Sequence, residues 1–411
     1  MTGDAVSGAG PSGAVERVGV AIVGGGPVGL LLGCLLAARD VSVAVVERRT
    51  EVSTRARAIG VHAPGFAVLA EAGVGDELAE QAITITGGEV SCAGRVLGRM
   101  RFPEASAVWS LPQHLVEAAL ERRLAELAPG ALRRGVEAGS VRGVRGGVEL
   151  SPTGESGGAP LRADYLVVAA GVRSRLRESF GVGWRRAAGS ARYAMADVAF
   201  SEGAPDDELA QLRFEADGVV ESLPMPGGRR WVAHLGAVDR GVVDRGAGAV
   251  LADAADPAVE PAVIDAAAFA EIIAVRTGVQ LDPAAIEPSV FEARQHLASR
   301  FAAGRLALAG DTAHELSPIG GQGMTLGFLD AFALAAVLPE ALAMSDPAPF
   351  AHYARTRRRA AARACRRARF NMAMGAPARG IRLTLRNAVV RMLAVPPVRA
   401  VLARTFTMRG L

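Results

Sequence analysis

An α/β chain, in which a parallel sheet is interrupted by an inserted, mainly antiparallel β-sheet and finished by C-terminal helices, follows from three features of the sequence. Residues 18–46 read as strand, helix and strand, with β-branched runs of the kind buried on both faces of a parallel sheet. From residue 184 to residue 295 the pattern changes to period-two alternation, the mark of strands with one covered face. A short apolar strand and a long apolar helix then return after residue 305, so the first unit is discontinuous.

Within the opening unit the spacing predicts a strand over 18–23, an apolar helix over 30–38 and a second strand over 41–46. That is one βαβ unit of about the usual 30 residues. A helix over 64–71 follows, and then Gly-punctuated, strand-like sequence over 87–108. Pro112 opens a helix over 113–127, where Leu115, Ala119, Leu120, Leu124 and Leu127 recur at helical spacing. Short strands fill 131–151, and 165–170 is another buried strand. Alternating segments at 193–200, 219–225 and 230–238, with a helix near 266–276, predict the inserted antiparallel sheet. Residues 305–309 rejoin the first sheet, 323–338 is a long apolar helix, and helices over 350–374 and 381–393 precede a break at Pro396 and Pro397. The expected division is a disordered lead-in over 1–17, a nucleotide-binding domain over 18–75, 111–183 and 296–345, a substrate domain over 76–110 and 184–295, and C-terminal helices over 346–411.

Composition narrows the function. The 411 residues carry a net charge of only +4, and Arg supplies every permanent side-chain cation, since the chain has no Lys. Nucleic-acid binding needs basic residues gathered on one face near stacking aromatics, so no nucleic-acid partner is expected. Three scattered cysteines make neither a disulfide framework nor a metal site, which suits a cytoplasmic protein. The Gly- and Ser-rich start lacks the pattern of a secretory signal. The apolar run over 28–38 is well short of the roughly 18 residues of a membrane span, so none is expected. The Arg-rich run over 355–369 reads as a solvated helix face rather than a membrane or acidic-partner surface.

Gly24, Gly26 and Gly29 stand between the first strand and its helix. In that position Gly-x-Gly-x-x-Gly permits a tight turn, close backbone approach to a pyrophosphate, and near contact of helix and sheet. Glu47 follows at the end of the second strand, where a carboxylate accepts the hydroxyl hydrogens of an adenosine ribose. Glu rather than Arg there favours an unphosphorylated ribose, as in FAD or NAD.

A second segment runs from Arg305 through Gly310, Asp311 and His314 to Pro318, Gly320, Gly321, Gln322, Gly323, Met324 and Asp330. Here the sequence resembles the aromatic-hydroxylase branch of FAD-dependent monooxygenases, the group of para-hydroxybenzoate hydroxylase and the polyketide hydroxylases. The resemblance covers residues 18 to about 340 and implies a Rossmann-like FAD-binding domain with an inserted substrate domain. It implies that Asp311 binds the ribityl chain and that Pro318, Gly320, Gly321, Gln322, Gly323 and Met324 lie against the flavin ring. A helix start near residues 321–324 would then stabilise negative charge on reduced flavin. Arg57, Arg48 and Gln113 match further cofactor contacts, and Gly171, Arg173 and Ser174 match the segment after the middle strand. Two departures stand out: Thr325 replaces a frequent Asn beside the ring, and Ala170 replaces an Asp tied to FAD and to reduction by NADPH or NADH.

The implied reaction inserts one oxygen atom from O2 into an organic small molecule, by hydroxylation or epoxidation in secondary metabolism, through a flavin 4a-hydroperoxide. The flavin supplies the reactivity, so no catalytic side chain is named. The chain stops after helices and so is similar to the shorter members, without a thioredoxin-like C-terminal domain. His62, His114, His296 and His314 lack metal-ligand spacing, and no metal is expected. His234 and Arg213 sit in the substrate sheet, facing either a ligand or solvent. The alternatives are an FAD-dependent reductase or dehydrogenase of the same fold, or a flavoprotein that sequesters a ligand.

Overall fold

The computed structural model describes residues 15–52, 58–103, 106–153, 158–187, 189–199, 208–236, 264–395 and 408. Its first sheet is built on strands β1 (Glu16–Val23), β2 (Val43–Glu47), β8 (Leu132–Arg134), β11 (Leu161–Val168) and β20 (Leu306–Leu308). They are parallel, in the order β20-β11-β1-β2-β8, with the two-residue strand β19 (Ala302–Ala303) antiparallel on β20. A hairpin of β9 (Glu137–Val144) and β10 (Gly147–Thr153) adds to β11. The first strand begins at Glu16, so the expected lead-in over 1–17 gives way to sheet structure: Glu16 and Arg17 pair with Leu161 and Arg162. Residues 1–14 and the break at Pro396 and Pro397 lie outside the described residues.

Burial on both faces explains the β-branched runs. Val20, Ala21 and Ile22 are fully buried in the core to which helix α1 (Pro27–Ala37) contributes Leu30, Leu31 and Leu35. Helices α2 (Ala63–Glu71), α3 (Gly75–Gln81) and α4 (Gln113–Leu127) join that core through residues such as Leu69, Leu78 and Leu120. After the short α5 (Leu176–Ser179) and α6 (Ala266–Thr277) come α7 (Gln322–Met344), α8 (Pro349–Gly375) and α9 (Ile381–Leu393). Helix α7 is long and apolar enough to cross a bilayer, but half of its apolar stretch is buried, where Leu326, Phe328, Leu334 and Leu338 belong to the core.

The second sheet has seven strands in the order β17-β13-β16-β15-β14-β5-β6, formed by β5 (Gly87–Cys92), β6 (Arg95–Arg101), β13 (Ala191–Ala199), β14 (Leu209–Glu215), β15 (Gly218–Met225), β16 (Gly228–His234) and β17 (Ser289–Ala293). All neighbours are antiparallel except β14 and β5, which pair in parallel. Alternation sorts its two faces: Ala194, Val220, Trp231 and Ala233 pack on Phe269 and Ile273 of α6, whereas Tyr193, Val219 and Val232 pack toward Ile319 and Met372. Helix α6 is capped by Asp265, whose carboxylate accepts from Ala267 N and Ala268 N.

Candidate functional site

Strands β1, β2, β11 and β20 all run in one direction, and the chain leaves their carboxyl ends as Gly24, Arg48, Ala169–Gly171 and Ala309–Asp311. Because β1 lies between β2 and β11, the strand order reverses at this point. Ligands of open α/β sheets sit in the crevice outside such a reversal. The crevice belongs to a cavity of about 2310 Å³ that extends under the second sheet. Pockets for one drug-sized molecule are about 300–1,000 Å³, so this one has room for a dinucleotide and a second ligand.

The Gly24–Gly29 turn is shaped by what a side chain would strike. Gly24 has φ +112°, and a Cβ there would lie 2.4 Å from Ala169 O. A Cβ on Gly29 would lie 1.9 Å from Gly24 O, so this residue sets how closely helix and strand pack and does not line the cavity. Gly26, by contrast, faces open space. It starts α1 without any side-chain cap, leaving first-turn N–H groups turned to the cleft.

Glu47 is buried at the end of β2, where its Oε2 accepts from Gly25 N at 2.7 Å and its Oε1 from Arg49 N and Nε, each at 2.9 Å. Burial would raise its pKa, but the Arg49 bonds outweigh burial and hold the carboxyl below the usual range. Each carboxylate oxygen has further acceptor capacity for a ribose hydroxyl. Gln113 donates to Glu117 at 2.7 Å, and Arg49 also reaches Glu117, so Gln113, Glu117 and Arg49 form one polar wall beside Glu47. Arg49 is a contact that sequence reasoning passed over, because it was one of several neighbouring arginines.

On the far side of β1, the Gly310 turn (φ +58°) presents Asp311 to the cleft. The turn before α7 is left-handed at both Gly320 (φ +91°) and Gly321 (φ +63°), and Gly321 starts the helix, again with no side-chain cap. Below it lies His62, buried, with Nε2 3.0 Å from Gly320 O. Burial pushes its pKa down to about 4, so the neutral ring donates Nε2–H to that carbonyl. Thr325 is fully buried and accepts from His62 N at 3.0 Å. It ties β3 (Gly60–His62) to α7 and does not line the cleft, which corrects the expectation that it bears on the ring.

Of the residues singled out from sequence, Gly24, Gly26, Glu47, Arg48, Gln113, Gly171, Asp311, Pro318, Gly320, Gly321, Gly323 and Met324 line this one cavity. Gln322 is buried and off its surface, and Arg57 lies outside the described residues. Ala170, Arg173 and Ser174 also line it, and the buried Ser174 hydroxyl has no hydrogen-bond partner among the described residues. His314 is fully buried against Asp330. His234 and Arg213 do not line the cavity: Arg213 lies over Trp231, and His234 meets the Tyr193 ring edge-on. Among the described residues no cluster of metal-ligand type occurs. A glutamate on the ceiling, Glu221, was not singled out; the signal for it was a charge within the alternating run Val219, Glu221, Leu223.

FAD fits this arrangement: an uncapped helix start without a side chain for its pyrophosphate, a buried carboxylate at the second strand end for its ribose, and a second uncapped helix start further along the same cavity. Comparison with known proteins agrees. The family described as FAD binding domain matches residues 17–368. The chain is 31% identical over 339 residues to 6-methylpretetramide 4-monooxygenase of Streptomyces rimosus, covering 77% of this chain and 54% of that protein. It is 30% identical over 348 residues to dialkyldecalin synthase of Streptomyces rugosporus, covering 84% and 70%. The OxyS anhydrotetracycline hydroxylase of Streptomyces rimosus superposes with a TM-score of 0.75 at 26% identity, covering 96% of this chain and 77% of that one. The chain thus spans little more than half the length of the first of these relatives.

Proposed function

The chain belongs to the family of FAD-dependent, aromatic-hydroxylase-type monooxygenases, and from that membership we propose that it inserts one oxygen atom from O2 into an organic small molecule. Hydroxylation or epoxidation in secondary metabolism is the reaction type, with NADPH or NADH as reductant. The supporting observation is the single cavity that begins at the two uncapped helix starts, Gly26 and Gly321, and continues beneath the second sheet. FAD, when bound, supplies the electron transfer and oxygen activation.

The chain's own tasks follow from its geometry. N–H groups at the start of α1 would hold the pyrophosphate, Glu47 the adenosine ribose and Asp311 the ribityl chain. N–H groups over residues 321–324 would face the charge that reduction places on the ring, where a helix dipole is worth roughly 0.3–1 kcal/mol or more when partly buried. The neutral His62 holds the Gly320 carbonyl, which fixes the turn preceding those N–H groups. Apolar residues of the second sheet, among them Leu212, Leu223 and Val232, line the far side and exclude water from the bound substrate. Buried cysteines outside any disulfide support a cytoplasmic setting.

Purified protein should carry a yellow cofactor that extracts as FAD, and should consume oxygen with NADPH and a member of a polyphenol, polyketide and terpenoid panel, with labelled oxygen found in the product. A colourless protein that takes up no FAD would remove the proposal. One observation favours a second reading, a flavoprotein that shapes or sequesters its ligand without redox turnover. Ala170 occupies the cleft where the resemblance implies a carboxylate for nicotinamide use, and a dialkyldecalin synthase is among the relatives. Ligand binding without bleaching of the flavin by NADPH would select that reading.

A further inference from the structure

Strand β15 sends Val220 into the layer beneath α6, so Val219, Glu221 and Leu223 turn the other way and line the cavity. Glu221 is 5% exposed. Its direct cross-strand neighbours are Leu212 on β14 and Val232 on β16, both apolar and both on the same cavity wall. A cation, Arg230, stands one step along β16, but its Nε and Nη2 bind the two carboxylate oxygens of Asp197 at 2.6 and 2.7 Å. The other titratable groups on this face are His234, two residues past Val232 on β16 and edge-on to Tyr193, and Tyr193 itself on β13, whose phenol is pushed upward by burial and then by Glu221, and so stays neutral. Among the described residues no donor lies within hydrogen-bond distance of the Glu221 carboxylate. Leu or Met would fill this place at less cost, because a buried carboxylate without a partner is expensive. The group has a use only when something in the cavity meets it.

We propose that Glu221 reads the substrate, accepting a hydrogen bond from an acidic hydroxyl, phenolic or enolic, of an otherwise apolar molecule and turning away ligands that place a carboxylate there. The inference rests on the reading of this cavity as the substrate site and adds the chemical class it selects. A carboxylate accepts strongly from O–H, and it repels a second carboxylate unless one of the two is protonated. Burial pushes the Glu221 carboxyl up to about 7, so discrimination against acids sets in as the pH rises through that value.

The test uses the purified, FAD-loaded protein and three probes of one shape: 2-naphthol, 2-methoxynaphthalene and 2-naphthoate, titrated calorimetrically into wild type and Glu221→Gln. At pH well above neutrality, wild type should bind naphthol about tenfold more tightly than its methyl ether. It should bind naphthoate about tenfold more weakly than naphthol, and this penalty should fade as the pH is lowered through neutrality. Glu221→Gln, which keeps the shape and removes the charge, should bind naphthoate about tenfold better than wild type does, with no pH dependence of that kind. Equal probe ratios in the two proteins, or a wild-type naphthoate affinity independent of pH, overturns the assignment. Oxygen uptake is measured separately: selectivity without oxygen uptake leaves Glu221 in place and removes the oxygenase reading, and the reverse pattern does the opposite.

Discussion

Asp330 Oδ2 lies 2.6 Å from His314 Nε2, and both side chains are fully buried. The same oxygen accepts from Gly310 N at 3.1 Å, and Oδ1 accepts from Arg357 Nε at 2.8 Å. One carboxylate therefore joins α7, α8 and the turn that presents Asp311. Burial opposes its ionisation, yet His314 and Arg357 outweigh burial and keep the carboxyl below the usual range.

Asp330→Asn should lower unfolding stability by about 3–5 kcal/mol, the usual loss when one member of a buried charge network is removed. Flavin retention should fall with it, since Gly310 loses its anchor. The folded-state pKa is depressed, so the stabilisation is present above the unfolded value of about 3.9 and is lost as the pH falls through the lower folded value. Urea midpoints of the two proteins should therefore differ at neutral pH and converge only in strong acid; equal midpoints at neutrality would contradict the clamp.

Gly29→Ala and Gly26→Ala should fail in different ways. At Gly29 the new Cβ meets a carbonyl oxygen at 1.9 Å, so helix and strand must separate and stability should fall by about 1–3 kcal/mol or more. At Gly26 nothing lies within 4 Å, so the thermal midpoint of FAD-free protein should be unchanged, while FAD affinity should drop about tenfold if the pyrophosphate approaches there as proposed. Thermal unfolding with and without added FAD separates the two.

Asp311→Ala should yield folded, largely colourless protein. Its side chain lines the cleft at a turn that Asp330 holds independently, so circular dichroism should be unaltered. Full flavin occupancy would count against the ribityl contact.

Ala170→Asp should speed the bleaching of bound flavin by NADPH, measured by anaerobic stopped flow. Ala170 is exposed in the cleft, so the longer side chain has room. An unchanged rate removes the missing carboxylate as the limit on reduction.

The parallel sheet was legible because burial on both faces writes continuous apolar runs, and Gly24, Gly26 and Gly29 follow the first of them directly. Asp311 and the turn at Gly320 were legible through the family resemblance of the segment from Arg305 onward, not through periodicity alone. Long-range pairings were not. Nothing local in Gly87–Cys92 states that it lies parallel to Leu209–Glu215, or that Thr325 will bond His62 N from 263 positions away. Glu221 was hidden by its ordinariness as one charge in an alternating strand, whose meaning depends on which face the fold covers.

The parallel pairing of β5 with β14 has an outcome for anyone exchanging parts between relatives. The ceiling over the cavity is woven from two stretches that leave the parallel sheet more than a hundred residues apart, so residues 184–295 grafted alone would arrive without two of the seven strands and with a raw edge along β14. Chimaeras that carry residues 87–101 together with 184–295 preserve the weave, and those are the ones in which ligand preference can move as a unit.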